Sequence, residues 1–200
     1  MTLGLSVVSV SLGLVLELML ALVRLSGRRA LSGPAYLYIE FFRTTPPLVQ
    51  IVWLYYGLPK LVGQDLGAFG AAAMALGFNI AAFFAEIFRA GIAGVDRTQW
   101  QAAHVLGLSV PDTLRFVVLP QAFRGILPPT STTVIYLVKG TALASAIGTP
   151  ELLRVRQLIA NETFWPVESL TIVAIAYFVL TYPIALLFSF IERELARGRG

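Results

Sequence analysis

The residues of this chain that could do chemistry are few, and most sit in one polar stretch. Gln99-Trp100-Gln101-Ala102-Ala103-His104-Val105-Leu106-Gly107 leads through Ser109, Pro111 and Asp112 to Val117-Val118-Leu119-Pro120. His104 is the single histidine and cysteine is absent, which excludes a histidine-cluster metal site, a thiolate catalyst and a disulfide framework. No Gly-x-x-x-x-Gly-Lys-Ser/Thr phosphate loop occurs, and no nucleophile–base constellation is present, so the chain reads as a non-enzyme that does not itself hydrolyse ATP. The other candidates are polar side chains inside apolar runs: Glu40, Arg43, Thr44, Asn79, Glu86, Arg89, Lys139 and Thr141. Ionisable groups in such runs are costly and normally face a protein interior or a water-filled path. Their chemistry is either local ion pairing and interhelical hydrogen bonding or the lining of a polar path.

The elements that carry these residues are apolar and long. The chain has 200 residues, 57% hydrophobic and 13% charged, with mean hydropathy +0.78. A soluble domain carries about a quarter charged residues. Five segments, about 3–23, 35–58, 66–88, 125–147 and 167–191, each approach the ~20 residues that cross a bilayer as an α-helix. They lack the alternation of transmembrane strands. The expected class is therefore an all-α, polytopic membrane protein with five transmembrane helices. The first segment has no basic residue before it and no small-residue cleavage site, and so reads as a span and not a signal peptide.

Arginines set the orientation. With the N-terminus outside, the cytoplasm receives Arg24, Arg28, Arg29, Arg89, Arg97, Arg115, Arg124, Arg193, Arg197 and Arg199, and the outer side only Lys60, Arg154 and Arg156. The C-terminus then lies inside. The net charge of +4 reflects these loop residues and not nucleic-acid binding. Trp53, Tyr55, Tyr56, Phe164 and Trp165 suit an outer interfacial belt.

The polar insert, about 94–122, lies between the third and fourth spans and reads as two short helices. Asp96 or Thr98 caps the first and Gly107 ends it; Ser109 caps the second, with Pro111 and Asp112 in its first turn, and Leu119-Pro120 ends it. Ala102, Ala103 and Leu106 share a small-residue face that suits a groove on a partner. Glu40–Arg43 and Glu86–Arg89 are i, i+3 pairs expected near the cytoplasmic helix ends, either local ion pairs or a gate at that mouth. Thr44-Thr45-Pro46-Pro47 should break its helix. Lys139 either snorkels outward or faces a central cavity, where its charge would attract a carboxylate, and Asn79 either joins helices or lines a cavity.

Ala-Ala, three residues, Gly, nine residues, Val-x-Leu-Pro resembles the coupling loop of ATP-binding-cassette (ABC) importer permeases, with Gln101 at the usual acidic position. Tyr38-Ile39-Glu40-Phe41-Phe42-Arg43-Thr44-Thr45-Pro46-Pro47-Leu48-Val49-Gln50, Tyr55-Tyr56-Gly57-Leu58-Pro59, Ala85-Glu86-Ile87-Phe88-Arg89-Ala90-Gly91-Ile92, Leu127-Pro128-Pro129, Lys139-Gly140-Thr141-Ala142-Leu143-Ala144-Ser145 and Pro150-Glu151-Leu152-Leu153 are similar, in order, to the polar amino acid permeases of the histidine/glutamate/glutamine type. The resemblance implies an ABC type-1 permease domain over 1–191 with a short cytoplasmic tail at 192–200, in the bacterial cytoplasmic (inner) membrane. It implies coupling to a separate ATPase through Gln99, Trp100, Gln101, Ala102, Ala103, Leu106, Gly107, Leu119 and Pro120. Arg43, Thr44, Asn79, Glu86, Lys139 and Thr141 become path or gate candidates. An ATPase that uses ATP and Mg, an extracytoplasmic solute-binding protein and a second permease chain, identical or paralogous, are the implied partners. No cofactor or metal is expected on this chain. Relatives often carry Asp, Asn or Ser where Gly140 stands, and any substrate contact from that side chain is missing here. A related solute such as an opine or an organosulfur compound fits the same pattern. A helical scaffold or channel that needs no ATP would have no use for the loop.

Overall fold

The computed structural model describes residues 1–25 and 29–197. Arg28 and Arg199 of the expected cytoplasmic anchor lie outside these residues, as do the side chains of Arg24, Arg29 and Arg197. Among the described residues the fold is helical throughout, without strands: α1 (Thr2–Leu25), α2 (Arg29–Thr44), α3 (Pro47–Val52), α4 (Leu58–Val62), α5 (Gly67–Ala93), α6 (Arg97–Val105), α7 (Val110–Asp112), α8 (Leu119–Gly140), α9 (Leu152–Thr163) and α10 (Pro166–Arg197). Three helices, Thr2–Ala21, Gly67–Ala93 and Pro166–Leu195, are individually long and apolar enough to cross a membrane.

The expected second span is not one helix. It is interrupted at Thr45–Pro46, and a π-helical turn at Trp53–Gly57 joins α3 to α4. The fourth expected span is α8 followed by a 3-10 segment, Thr141–Ile147. Nor does Leu119-Pro120 end the second helix of the insert. α7, a π-turn at Thr113–Val118 and α8 run on without a break from Val110 to Gly140. The reason lies in the proline. A regular helix would demand the N–H that Pro120 lacks and would press its ring on the carbonyl one turn back. In the π-turn the Leu119 N–H donates to the Leu114 carbonyl, five residues back, and the widened turn makes room for the ring. The same device precedes Leu58-Pro59, where the Leu58 N–H donates to the Trp53 carbonyl.

α5 is the central post. α1, α2, α3, α8 and the 3-10 segment all pack on it. Its buried face is mostly small, with Ala71, Ala72, Ala73, Ala75, Gly77, Ala81, Ala82 and Ala85. Small faces let backbones approach in a membrane, where van der Waals contact and not hydrophobic exclusion drives association. α1 runs parallel to α5 along this face: the Ser9 hydroxyl donates to the Ala73 carbonyl at 3.3 Å, and Gly13 lies against Ile80. A Cβ on Gly13 would sit 2.3 Å from the Ile80 Cγ2, and one on Gly91 2.3 Å from the Ile126 Cγ1 of α8.

Around Glu151 and the residue after it, three elements are tied together. Its carboxylate accepts the N–H groups of Leu153 (2.9 Å) and Arg154 (2.7 Å), capping α9, and the Tyr177 hydroxyl of α10 donates to it at 2.7 Å. The Leu152 N–H donates to the Thr2 hydroxyl at 3.2 Å, tying in α1.

Gly13→Ala should lower the thermal midpoint of the detergent-solubilised protein, with an overpacking cost of about 1–3 kcal/mol. Gly125→Ala, where the added Cβ meets open space, serves as the control. Equal midpoints for the two variants would refute close α1–α5 packing at Gly13.

Candidate functional site

The break between α2 and α3 creates the site. In an unbroken helix the Phe42 and Arg43 carbonyls would accept from residues 46 and 47, which are prolines without N–H groups. Two buried amides supply the donors missing at the Phe42 carbonyl, and one of them also serves Thr45. Gln50 Nε2 donates to the Phe42 carbonyl (3.0 Å) and to the Thr45 carbonyl (2.9 Å), and Asn79 Nδ2 of α5 donates to the Phe42 carbonyl at 2.7 Å. Tyr38 of α2 adds a bond from its hydroxyl to the Phe78 carbonyl at 2.9 Å. Unsatisfied backbone at membrane depth costs several kcal/mol by general estimate, so the two amides are what make this break tolerable.

Beside the break lies a cavity of about 380 Å³. Arg43, Thr44, Thr45 and Pro46 form one wall, Asn79, Ile80 and Phe83 of α5 a second, and Thr132, Thr133, Tyr136 and Gly140 of α8 a third. Arg43 is the one charged residue of the lining among the described residues. It pairs with Glu40 at 3.5 Å and stands 5.9 Å from the centre of the Phe83 ring. The cavity can therefore offer an anion a guanidinium, hydroxyls and an aromatic flank.

Arg43 was expected near the cytoplasmic end of its helix, and the structure fixes its distance along that helix. α2 begins at Arg29, so Arg43 lies about 21 Å along it at 1.5 Å per residue, level with the middle of α5. Arg43, Thr44 and Asn79 are brought together at the cavity. Glu86 is not; it pairs with Arg89 (2.5 and 3.0 Å) and lines a separate groove of about 850 Å³ with Asp96, Gln99, Gln121 and Arg124. Thr141 is fully buried, its hydroxyl donating to the Val138 carbonyl at 2.7 Å. Lys139 is exposed and absent from the cavity lining, although the next residue, Gly140, belongs to it.

The insert has the caps expected of it. The Asp96 carboxylate accepts the Thr98 N–H at 2.9 Å, a bond that holds its pKa below the usual carboxylate value. Gly107, at φ +75°, ends α6: its N–H donates to the His104 carbonyl (3.0 Å) and the Leu108 N–H to the Ala103 carbonyl (3.1 Å). The Ser109 hydroxyl accepts the Asp112 N–H and donates to the Asp112 carboxylate.

The candidate contact residues divide by face. Trp100 and Ala103 turn inward, Trp100 onto a cluster of Val95, Val118, Ala122 and Ile126, and Ala103 only 2% exposed. The shared face of Ala102 and Ala103 is therefore split, because adjacent helical residues differ by about 100°. Gln99 accepts from Gln121 Nε2 of α8 at 3.1 Å. Gln101, Ala102, Leu106, Gly107, Leu119 and Pro120 face outward. Val105, 85% exposed, joins Leu106 at 78%, and Val110 lies across the turn. Sequence reasoning missed Gln50, Tyr136 and the two α8 threonines. Gln50 was detectable as a lone amide in the apolar run after Pro46-Pro47.

Comparison with known proteins follows the same outline. The family profile described as "Binding-protein-dependent transport system inner membrane component" matches residues 9–197. The chain is 37% identical over 195 residues to the probable amino-acid ABC transporter permease protein YckA of Bacillus subtilis (strain 168), covering 98% of this chain and 86% of that protein. It is 36% identical over 194 residues to the arginine transport system permease protein ArtQ of the same organism, covering 97% and 89%. A crystal structure of an amino acid ABC transporter with histidines superposes with a TM-score of 0.91 at 38% identity, covering 97% of this chain and 90% of that one.

Gln50→Leu and Asn79→Leu each leave one donor on the Phe42 carbonyl. The double substitution should cost about 1 kcal/mol more than the two single effects combined, because only then is that buried acceptor stranded. Additive thermal unfolding in a double-mutant cycle would refute the shared role.

Proposed function

We propose, since this chain belongs to the family of binding-protein-dependent transport system inner membrane components, that it is the membrane-spanning permease subunit of an ATP-driven importer of amino acids. It forms half of the path with a second permease chain, receives its solute from an extracytoplasmic binding protein, and couples to a separate ATPase. Five spans cross the inner membrane: α1, α2 with α3 and α4, α5, α8 with the 3-10 segment, and α10. The N-terminus lies outside and the C-terminus inside, so α6 and the turn at Gly107 face the cytoplasm.

One continuous rod carries this reading. The helix from Val110 to Gly140 begins at the outward apolar turn and ends in the cavity wall at Thr132, Thr133, Tyr136 and Gly140. α6 is held to its base by the Gln99–Gln121 bond and by Trp100. Closure of the ATPases pulls on Leu106 and its neighbours, and the rod moves the cavity wall between inward- and outward-facing states. Within the cavity Arg43 takes the solute carboxylate. The cavity side chains bind and release, and break no covalent bond.

Gly107→Val should abolish uptake and weaken co-purification with the ATPase while membrane insertion stays intact, since a β-branched residue resists φ +75°. Retention of both activities would remove the docking role from this turn.

Uptake in vesicles should fall at least about tenfold in Arg43→Gln, the loss of one charge-assisted hydrogen bond, with assembly intact. Lys139→Met should retain most uptake; the reverse ranking would move the carboxylate site to Lys139. Labelling of single cysteines should place Gln64 outside and the 192–197 segment inside.

A further inference from the structure

The mechanism leaves one buried acid unused. Glu17 of α1 is only 7% exposed, and it has neither a hydrogen bond nor an ion pair among the described residues. It opens onto a groove of about 620 Å³ between α1, α5 and α6. Phe88, Ile92, Val95 and Trp100 give the groove apolar walls, and Arg89 and Arg97 stand in its lining. Arg89 is engaged by Glu86; Arg97 is exposed and has no carboxylate partner among the described residues. Neither guanidinium reaches Glu17, so the groove holds a carboxylate and separate cationic groups with apolar surface between them.

The position of the groove selects its occupant. Glu17 lies about 12 Å from the end of α1 at Leu25, within reach of a headgroup layer. Leu14, Val15, Leu18 and Met19 beside it are exposed apolar residues, so the groove is continuous with a lipid-facing surface. We propose that this groove binds a phospholipid whose headgroup carries a primary ammonium and a phosphate, with the ammonium on Glu17 and the phosphate on Arg97. A phosphatidylethanolamine-type lipid supplies both groups at a separation of a few bonds. A choline headgroup cannot donate hydrogen bonds to the carboxylate, and an anionic glycerol headgroup leaves the carboxylate unpaired beside a net negative ligand. The acyl chains lie on the apolar face of α1.

The proposal rests on the chain being membrane-embedded with α6 at the cytoplasmic face, which the cysteine labelling tests separately. The experiment uses the full chain, extracted with its associated subunits into nanodiscs of phosphatidylglycerol mixed with equal parts of phosphatidylethanolamine or of its mono-, di- or trimethylated forms. Retained lipid is counted by native mass spectrometry during delipidation. The unmethylated lipid should be retained about tenfold over the trimethylated one, the size of one charge-assisted hydrogen bond. Glu17→Gln should erase that preference, and Arg97→Gln should weaken retention of every phospholipid. Equal retention across the methylation series, or a preference that survives in Glu17→Gln, overturns the proposal. Retention of phosphatidylglycerol at the level of phosphatidylethanolamine also overturns it, by reducing the groove to a phosphate site. If Glu17→Gln fails to assemble, the methylation series on the unaltered chain decides alone.

Discussion

The Phe42 carbonyl is the atom on which the arrangement depends. A helix cannot stop in the middle of a bilayer unless something other than water satisfies its last acceptors. Here Pro46 and Pro47 force the stop, and Gln50 and Asn79 compensate for it from two different elements. Because one donor follows the break in sequence and the other sits on α5, the break is fixed against the central post. The cavity wall from Arg43 to Pro46 is therefore positioned by backbone satisfaction and not by loop packing alone.

The rest of the fold supports that post from both sides. Small residues on α5 bring α1 close on one face, and Gly91 admits Ile126 of α8 on another. The rod from α7 through α8 then connects two environments, an outward apolar turn at one end and a polar cavity wall at the other. Glu151 joins α9 and α10, with Thr2 of α1 bonded to the next residue, so the end remote from the turn is braced.

Much of this was legible in the sequence. Long apolar runs announced α1, α5 and α10, and the caps at Asp96, Gly107 and Ser109 followed from residue type and spacing alone. The break at Thr44-Thr45-Pro46-Pro47 was also visible. Two things were not. Whether a Leu-Pro pair ends a helix or passes through it depends on a π-turn, which no local residue preference signals. Which polar residue lines a cavity depends on helix start points, and α2 begins six residues before the apolar run did, which sets Arg43 level with the middle of α5. Lys139 and Thr141 looked alike in sequence as polar residues near one helix end. Their rotation about that axis sends one outward and buries the other.

The π-turn at Thr113–Val118 has a consequence for phase. It adds one residue to a helical turn, which shifts everything beyond it by about 100° relative to a regular helix. The residues near Val110 and those near Tyr136 thus belong to one rod but keep two angular registers. A chain shortened by a single residue in this turn would lose the wide turn that accommodates the Pro120 ring and would also present the wrong stripe of α8 to the cavity. The length of this segment is therefore under tighter constraint than its composition, and the irregular turn acts as the setting that matches one end of the rod to the other.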